Sequence, residues 1–183
     1  MTMTAADDDC EEKVHELKHT ALRNALYHAA RRGFLDSVNR IFNFAVIIGG
    51  TSYAADIAAG AYIVTIGFAV AGIGALQLVF DFSGRARDHQ ILQQRYYAVL
   101  ATLEESRHPT EDDCARWNAD LLRIYADEPP TLRALDAIAD NQATCAILGG
   151  DKPRMKVTLW QSVTRHLLAH NAGTFPENPG WRG

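Results

Sequence analysis

His15 to His19 read HELKH, which matches the HExxH pattern of zinc peptidases. On a helix this spacing puts two imidazoles one turn apart with a carboxylate beside them, which suits Zn²⁺ and a general base. No third ligand follows at the family spacing, and no strand-rich cleft is predicted to hold a substrate. The chain has seven histidines, so a chance match to such a short pattern is expected. We therefore predict no enzyme activity, no metal site and no cofactor.

Two other kinds of chemical site are also missing from the pattern of residues. Gly72-Ile73-Gly74 lacks the third glycine of a dinucleotide fingerprint, and no predicted strand precedes it. The sequence shows no Ser/His/Asp or Cys/His pattern typical of nucleophilic catalysis. The isolated histidines are predicted to be structural or surface residues: His28, His89, His108 and His166. The three scattered cysteines, Cys10, Cys114 and Cys145, indicate unpaired thiols in a reducing compartment.

The charge distribution points to the elements that organise the chain. All 18 basic residues lie outside the 44 residues from Ile41 to Gly84, where only Asp56 and Asp81 are charged. A helix needs about 20 apolar residues to cross a hydrocarbon core. The gap therefore predicts a two-helix transmembrane hairpin, with spans at about 38–55 and 57–80 and a short turn between them. The net charge of −4 argues against nucleic-acid binding.

The basic residues beside the two spans predict the topology. Arg31, Arg32 and Arg40 precede the first span, Arg85 and Arg87 follow the second, and the turn has none. By the positive-inside rule we predict that both termini are cytoplasmic.

The polar flanks read as helices, so the predicted fold class is all-α. Residues 1–10 are predicted to be disordered, and cytoplasmic helices are predicted at about 11–36, 85–105, 111–126 and 131–147. Gly33 is predicted to break or kink the first of these helices, and Thr110 to be the N-cap of the third. The remainder, 151–183, is predicted to hold an amphipathic helix from Met155 to His170 and an irregular tail. Its apolar face either packs on the cytoplasmic helical bundle, which we slightly favour, or lies on the anionic inner leaflet.

A stripe of small residues marks the second span: Gly60, Gly67 and Gly74, followed by Asp81, recur every seven residues, which is nearly two helical turns, and Ala71 falls on the same side. Such a stripe is typical of a packing seam against the first span or a neighbouring copy, which we favour, and a pore-facing stripe is the alternative. Asp56 and Asp81 would lie at opposite mouths. In an oligomer they would form acidic rings that favour cations; alternatively, Asp56 is a turn residue and Asp81 an interfacial partner of nearby arginines.

The segments YHAARRGFLD (27–36) and DFSGRARDH (81–89) flank the spans, and LLRIY (121–125) follows in the helical tail. With the short-looped hairpin, they resemble the SLATT family of bacterial two-transmembrane proteins over about residues 12–150. The resemblance implies an effector of the bacterial inner membrane that forms pores by oligomerising, often in nucleotide-regulated conflict or phage-defence systems. The implied partners are the lipid bilayer and further copies of the chain, with a cytoplasmic protein or a nucleotide-dependent regulator as further candidates.

Two alternatives to a pore remain open. In the first, the hairpin only anchors the chain, and the cytoplasmic helices bind a partner protein. In the second, the chain is a soluble helical protein whose apolar middle is a buried core hairpin.

Overall fold

The computed structural model describes residues 5–54, 61–149, 152, 154–170 and 175–178. The fold class is all-α, as predicted. The helices are α1 (Ala5–Ala54), α2 (Ala61–Phe80), α3 (Phe82–Glu105), α4 (Glu111–Tyr125), α5 (Arg133–Leu148) and the short α6 (Leu159–Thr164). Two-residue strands, β1 (Arg154–Met155) and β2 (Glu177–Asn178), pair antiparallel with Arg154 opposite Asn178.

The chain divides into two compact units. The helical unit comprises residues 1–30 and 90–183, and the apolar unit comprises residues 31–89. Both α1 and α3 contribute residues to each unit.

The core of the helical unit forms where small residues of α1 meet large residues of α3 and α4. Ala21 and Ala25 are fully buried, which lets the larger side chains approach the α1 backbone. The large members are Leu92, Tyr96, Val99, Leu103, Trp117, Leu121 and Ile124. Thr110 caps α4 as predicted, in a reciprocal capping box with Asp113.

The first helix is longer than predicted. It begins at Ala5, inside the stretch predicted to be disordered, and residues 1–4 lie outside the described residues. The predicted break at Gly33 is also wrong, because α1 runs through it without interruption. A single glycine costs a helix only about 1 kcal/mol, and the long helix tolerates that cost.

The predicted C-terminal helix is wrong over most of its length, since only Leu159–Thr164 is helical. The Asn141 side chain explains the extended start: its amide donates to the Met155 carbonyl at 2.8 Å and its oxygen accepts from the Met155 N–H at 2.7 Å. The Lys156 N–H then donates to the Pro176 carbonyl at 2.9 Å. The observed bounds of α3, α4 and α5 lie within three residues of the predicted ones.

In the apolar unit, the second half of α1 packs antiparallel to α2. The Gln77 amide donates to Asn43 Oδ1 at 2.9 Å and to Asn39 Oδ1 at 3.3 Å. Further along, a Cβ at Gly49 would lie 2.5 Å from Val70 Cγ2, so only glycine allows this approach. Residue numbers therefore rise along α1 as they fall along α2.

Among the described residues, one helical stretch is long and apolar enough to cross a membrane, Tyr62–Glu105. Its apolar part is α2, and none of its most apolar 18 residues is buried. The stretch is bent where Asp81 separates α2 from α3. Length and composition thus mark one candidate span where two were predicted, because polar residues interrupt the end of α1. The exposure of α2 does not fit the alternative of a buried core hairpin.

Candidate functional site

The predicted stripe on α2 is open. Gly67, Ala71 and Gly74 are exposed, and a Cβ added at Gly67 or Gly74 would meet no other atom within 4 Å. Gly60 and Asp56 were also predicted as site residues, and both lie outside the described residues. The three described small residues therefore form an apolar strip that has room for another helix.

A different face of α2 contacts α1. Val70 and Ile66 lie near Gly49, and Gln77 bonds to the asparagines of α1. A helix turns by about 100° per residue, so these side chains lie roughly a quarter turn around α2 from Gly67 and Gly74. The two described glycines of the stripe therefore do not pack against the first predicted span. A neighbouring copy and a water path are the two remaining predictions for this face.

Asp81 ends α2 and starts α3. Its backbone has a φ of +41°, a left-handed conformation that aspartate and asparagine tolerate better than most residues. Its Oδ1 accepts the Gly84 N–H at 3.0 Å, and its carbonyl accepts the Arg85 N–H at 3.0 Å. Asp81 is thus an N-cap of α3, a structural role that the sequence analysis did not anticipate.

This cap separates two effects of changing Asp81. We expect Asp81→Ala to destabilise the chain by about 1 kcal/mol, because alanine cannot accept the Gly84 N–H. Asp81→Asn keeps an acceptor and removes only the charge, so its melting temperature in detergent should match that of the wild type. An Asn variant that melts as early as the Ala variant would contradict the capping role.

The predicted interfacial arginines make local contacts. Arg31 stacks over the Phe34 ring at 5.7 Å, and Arg32 pairs with Asp36 at 3.6 Å. Arg40 Nε donates to the Asp36 carbonyl at 3.3 Å. The other two, Arg85 and Arg87, are exposed in the first turns of α3.

The sequence analysis missed the polar contact between α1 and α2 that Asn39, Asn43 and Gln77 form. A signal was available, because the two asparagines stand one helical turn apart beside an apolar run and Gln77 is the one amide of the second span. Amide side chains commonly bond across helices in lipid.

A buried polar cluster lies in the helical unit around Glu128. Its Oε1 lies 3.0 Å from His28 Nε2 and accepts a hydrogen bond from the Tyr96 hydroxyl. His28 is 1% exposed and Tyr96 is fully buried, with their rings stacked at 5.7 Å. One carboxylate thus joins α1 and α3 to the segment after α4.

The two histidines of the HExxH pattern lie in different surroundings. His15 is exposed, whereas His19 Nε2 lies 3.0 Å from Thr144 Oγ1 on α5. Beside it, Arg23 Nε lies 3.4 Å from Asp136 Oδ1; burial raises the pKa of Asp136, and Arg23 partly opposes this. Within the described ranges, no group of three or more His, Cys, Asp and Glu side chains could hold a metal ion.

Two of the three cysteines meet in the core. Cys10 Sγ and Cys114 Sγ lie 3.5 Å apart, and both residues are buried. Burial and the hydrogen bond with Cys10 raise the pKa of the Cys114 thiol to about 11. Cys145 is exposed on α5.

This difference predicts selective labelling. In the folded protein at neutral pH, a water-soluble maleimide should modify Cys145 and spare Cys114, because the thiolate is the nucleophile and burial disfavours it. Mass spectrometry should count one adduct before unfolding and three after it, and Cys145→Ser should remove the first. Equal labelling rates for Cys114 and Cys145 in the folded chain would contradict this packing.

Comparison with known proteins adds no assignment to this geometry: no family model, curated protein or solved structure matches the chain. The resemblance to the SLATT family remains a prediction.

Proposed function

We propose that the chain is an integral membrane protein that oligomerises through α2 to form a pore. The second half of α1 and α2 form its transmembrane hairpin, and the helical unit is cytoplasmic. The observation that carries this proposal is the open strip of Gly67, Ala71 and Gly74 on an α2 helix whose apolar surface is exposed. Exposed apolar surface of this length needs lipid or another protein to cover it.

Assembly is required because one hairpin cannot enclose a water path. Small residues let helix backbones approach closely in lipid, where the hydrophobic effect no longer drives association. The strip has that composition and lies roughly a quarter turn around α2 from the face that contacts α1. The resemblance to SLATT proteins supports the same role, a pore-forming effector in bacterial conflict or phage defence.

Both legs of the hairpin are proposed to cross the membrane. The α1 leg is less apolar, and its Asn39 and Asn43 would be costly in lipid without partners. Gln77 provides those partners from α2. The paired amides therefore support insertion of α1 as a companion to α2.

Cys145 offers a test of this topology in the unmodified chain. In one experiment, membranes from expressing cells are washed at alkaline pH. In the other, an impermeant maleimide is added to intact right-side-out vesicles or to inverted vesicles. We expect the protein to stay in the washed membranes and Cys145 to react only in inverted vesicles. Release by the wash, or labelling in intact vesicles, would contradict the proposed arrangement.

The alternative is a membrane-anchored interaction module that does not conduct. One observation favours it: a groove of about 550 Å³ in the helical unit between α1 and α4, lined by both charged and apolar side chains. Lys13, Glu16, Leu17, Asn118 and Tyr125 are among its lining residues. An anchored module predicts a monomer or dimer in detergent and no ion flux from liposomes, whereas a pore predicts a larger assembly and flux.

A further inference from the structure

The segment from residue 159 to 168 has its polar and apolar sides reversed, and we call it the inverted segment. Its large apolar side chains face solvent: Leu159 is 82% exposed, Trp160 65%, Val163 69% and Leu167 72%. Its polar side chains are less exposed: Gln161, Ser162, Arg165 and His166 are half-buried. Thr164 is buried, and its hydroxyl donates to the Trp160 carbonyl at 2.7 Å.

This arrangement overturns the packing that the sequence analysis favoured. The apolar face does not pack on the helical bundle, since its residues are among the most exposed large hydrophobic residues described. A local capping box fixes the start of α6, because the Thr158 hydroxyl accepts the Gln161 N–H and the Gln161 side chain accepts the Thr158 N–H. An apolar face held outward in this way requires a partner.

Charge indicates which partner fits. The chain as a whole has a net charge of −4, yet residues 152–170 contain four basic residues and no acidic one. Of these, Lys152 and Lys156 are exposed, and Arg165 lies within the inverted segment itself. Basic side chains beside exposed Trp and Leu are typical of segments that lie in the interface of an anionic bilayer.

The position of the segment in the helical unit agrees with this partner. Just after it, the Ala169 carbonyl accepts the Arg133 N–H at 3.3 Å at the start of α5. The adjacent Leu132 N–H donates to the Tyr27 hydroxyl at 3.0 Å. Tyr27 lies four residues before Arg31, where α1 leaves the helical unit for the apolar one. The inverted segment is therefore attached, through the start of α5, close to the part of α1 after which the chain passes into the apolar unit.

We infer that the inverted segment binds the surface of an anionic bilayer, with Trp160 at the level of the lipid headgroups. The inference rests on the membrane location in the proposed function and does not depend on conduction. It assigns the inverted segment, with Lys152 and Lys156 beside it, a second contact with lipid, separate from the transmembrane helices. Aromatic side chains with one polar edge favour this depth.

Fluorescence of Trp160 in the full chain tests the inference. The protein is placed in nanodiscs of phosphatidylcholine, with or without phosphatidylglycerol, and the lipids carry bromine near the headgroup as a quencher. The signal of Trp160 is the difference between wild type and Trp160→Phe, because Trp117 and Trp181 are common to both. We expect most of this difference to be quenched when phosphatidylglycerol is present.

Matched charge variants supply the control. Lys152→Glu with Lys156→Glu should restore the Trp160 signal, whereas Arg107→Glu with Arg123→Glu, an equal charge change on exposed residues elsewhere, should not. An unquenched Trp160 in the anionic nanodiscs would overturn the inference, as would shielding of Trp160 by self-association in detergent before lipid is added. Flux measured on the same samples separates the two proposals: quenching without flux contradicts only the pore.

Discussion

Replacing Gly67 with leucine is expected to abolish assembly of the chain in a membrane while its own fold survives. Nothing within the described chain lies within 4 Å of a Cβ at this position, so the larger side chain has room in a single copy. In an assembly the same side chain would separate two α2 helices that small residues bring together. We expect the affinity between copies to fall at least tenfold, which corresponds to about 1.4 kcal/mol.

Gly72 provides a matched control on the same helix. It is also exposed, and a Cβ there also meets nothing within 4 Å. It lies roughly 140° around α2 from Gly67, because a helix turns by about 100° per residue. Gly72→Leu should therefore keep the assembly size and ion flux of the wild type. Equal loss of assembly in both variants, or in neither, would show that the strip of Gly67, Ala71 and Gly74 is not the interface.

Replacing Glu128 with alanine is expected to cause a large loss of stability in the helical unit. The change leaves the His28 ring, which is 1% exposed, and the fully buried Tyr96 hydroxyl without their shared acceptor. Removing the acceptor of a buried hydrogen bond costs about 1–3 kcal/mol for each donor that it served. We therefore expect a loss of about 3 kcal/mol in the free energy of unfolding, measured by denaturant titration in detergent.

The neighbouring residue gives the comparison. Asp127 also pairs with a side chain of α3, at 2.5 Å from Arg95 Nη1, but both partners are substantially exposed. Pairs of this kind contribute about 0–1 kcal/mol, since water already solvates the separated charges. Asp127→Ala should thus cost less than 1 kcal/mol. If the Glu128 and Asp127 variants lost equal stability, the buried cluster would not have the role assigned to it.

Apolar periodicity predicted the helices of the helical unit well. The stripe from Val14 to His28 on α1 and the face around Tyr96 on α3 both enter the core. Such stripes can be recognised in a sequence because a helix that is buried on one side has apolar residues at a helical period. The N-cap Thr110 was equally predictable, because its hydroxyl can accept one of the first free N–H groups of the helix and acidic residues follow it.

The sequence-based predictions failed where residues far away in the sequence determine the local structure. Met155 carries no local signal for an extended backbone, because the bonds that hold it come from Asn141 on α5. The outward orientation of the apolar face of the inverted segment was likewise not predictable, because periodicity shows that an apolar face exists but not which way it points. Glu128 was missed because its partners, His28 and Tyr96, come from helices far away in the sequence.

The candidate site was predicted in part. Periodicity placed Gly67, Ala71 and Gly74 on one stripe, and the structure leaves that stripe open. Sequence spacing did not indicate which face of α2 meets α1, because that depends on the close approach at Gly49 and on the bonds of Gln77. Asp81 was selected for its charge, while its backbone geometry adds a capping role.

Electron cryo-microscopy of the full chain in lipid nanodiscs tests the proposed pore most directly. We predict a closed ring of several copies in which the Gly67 face of α2 lies at the contact between copies or towards an open central axis. A single copy whose α2 helix is surrounded by lipid, with no contact between copies at Gly67, Ala71 or Gly74, would contradict the proposal.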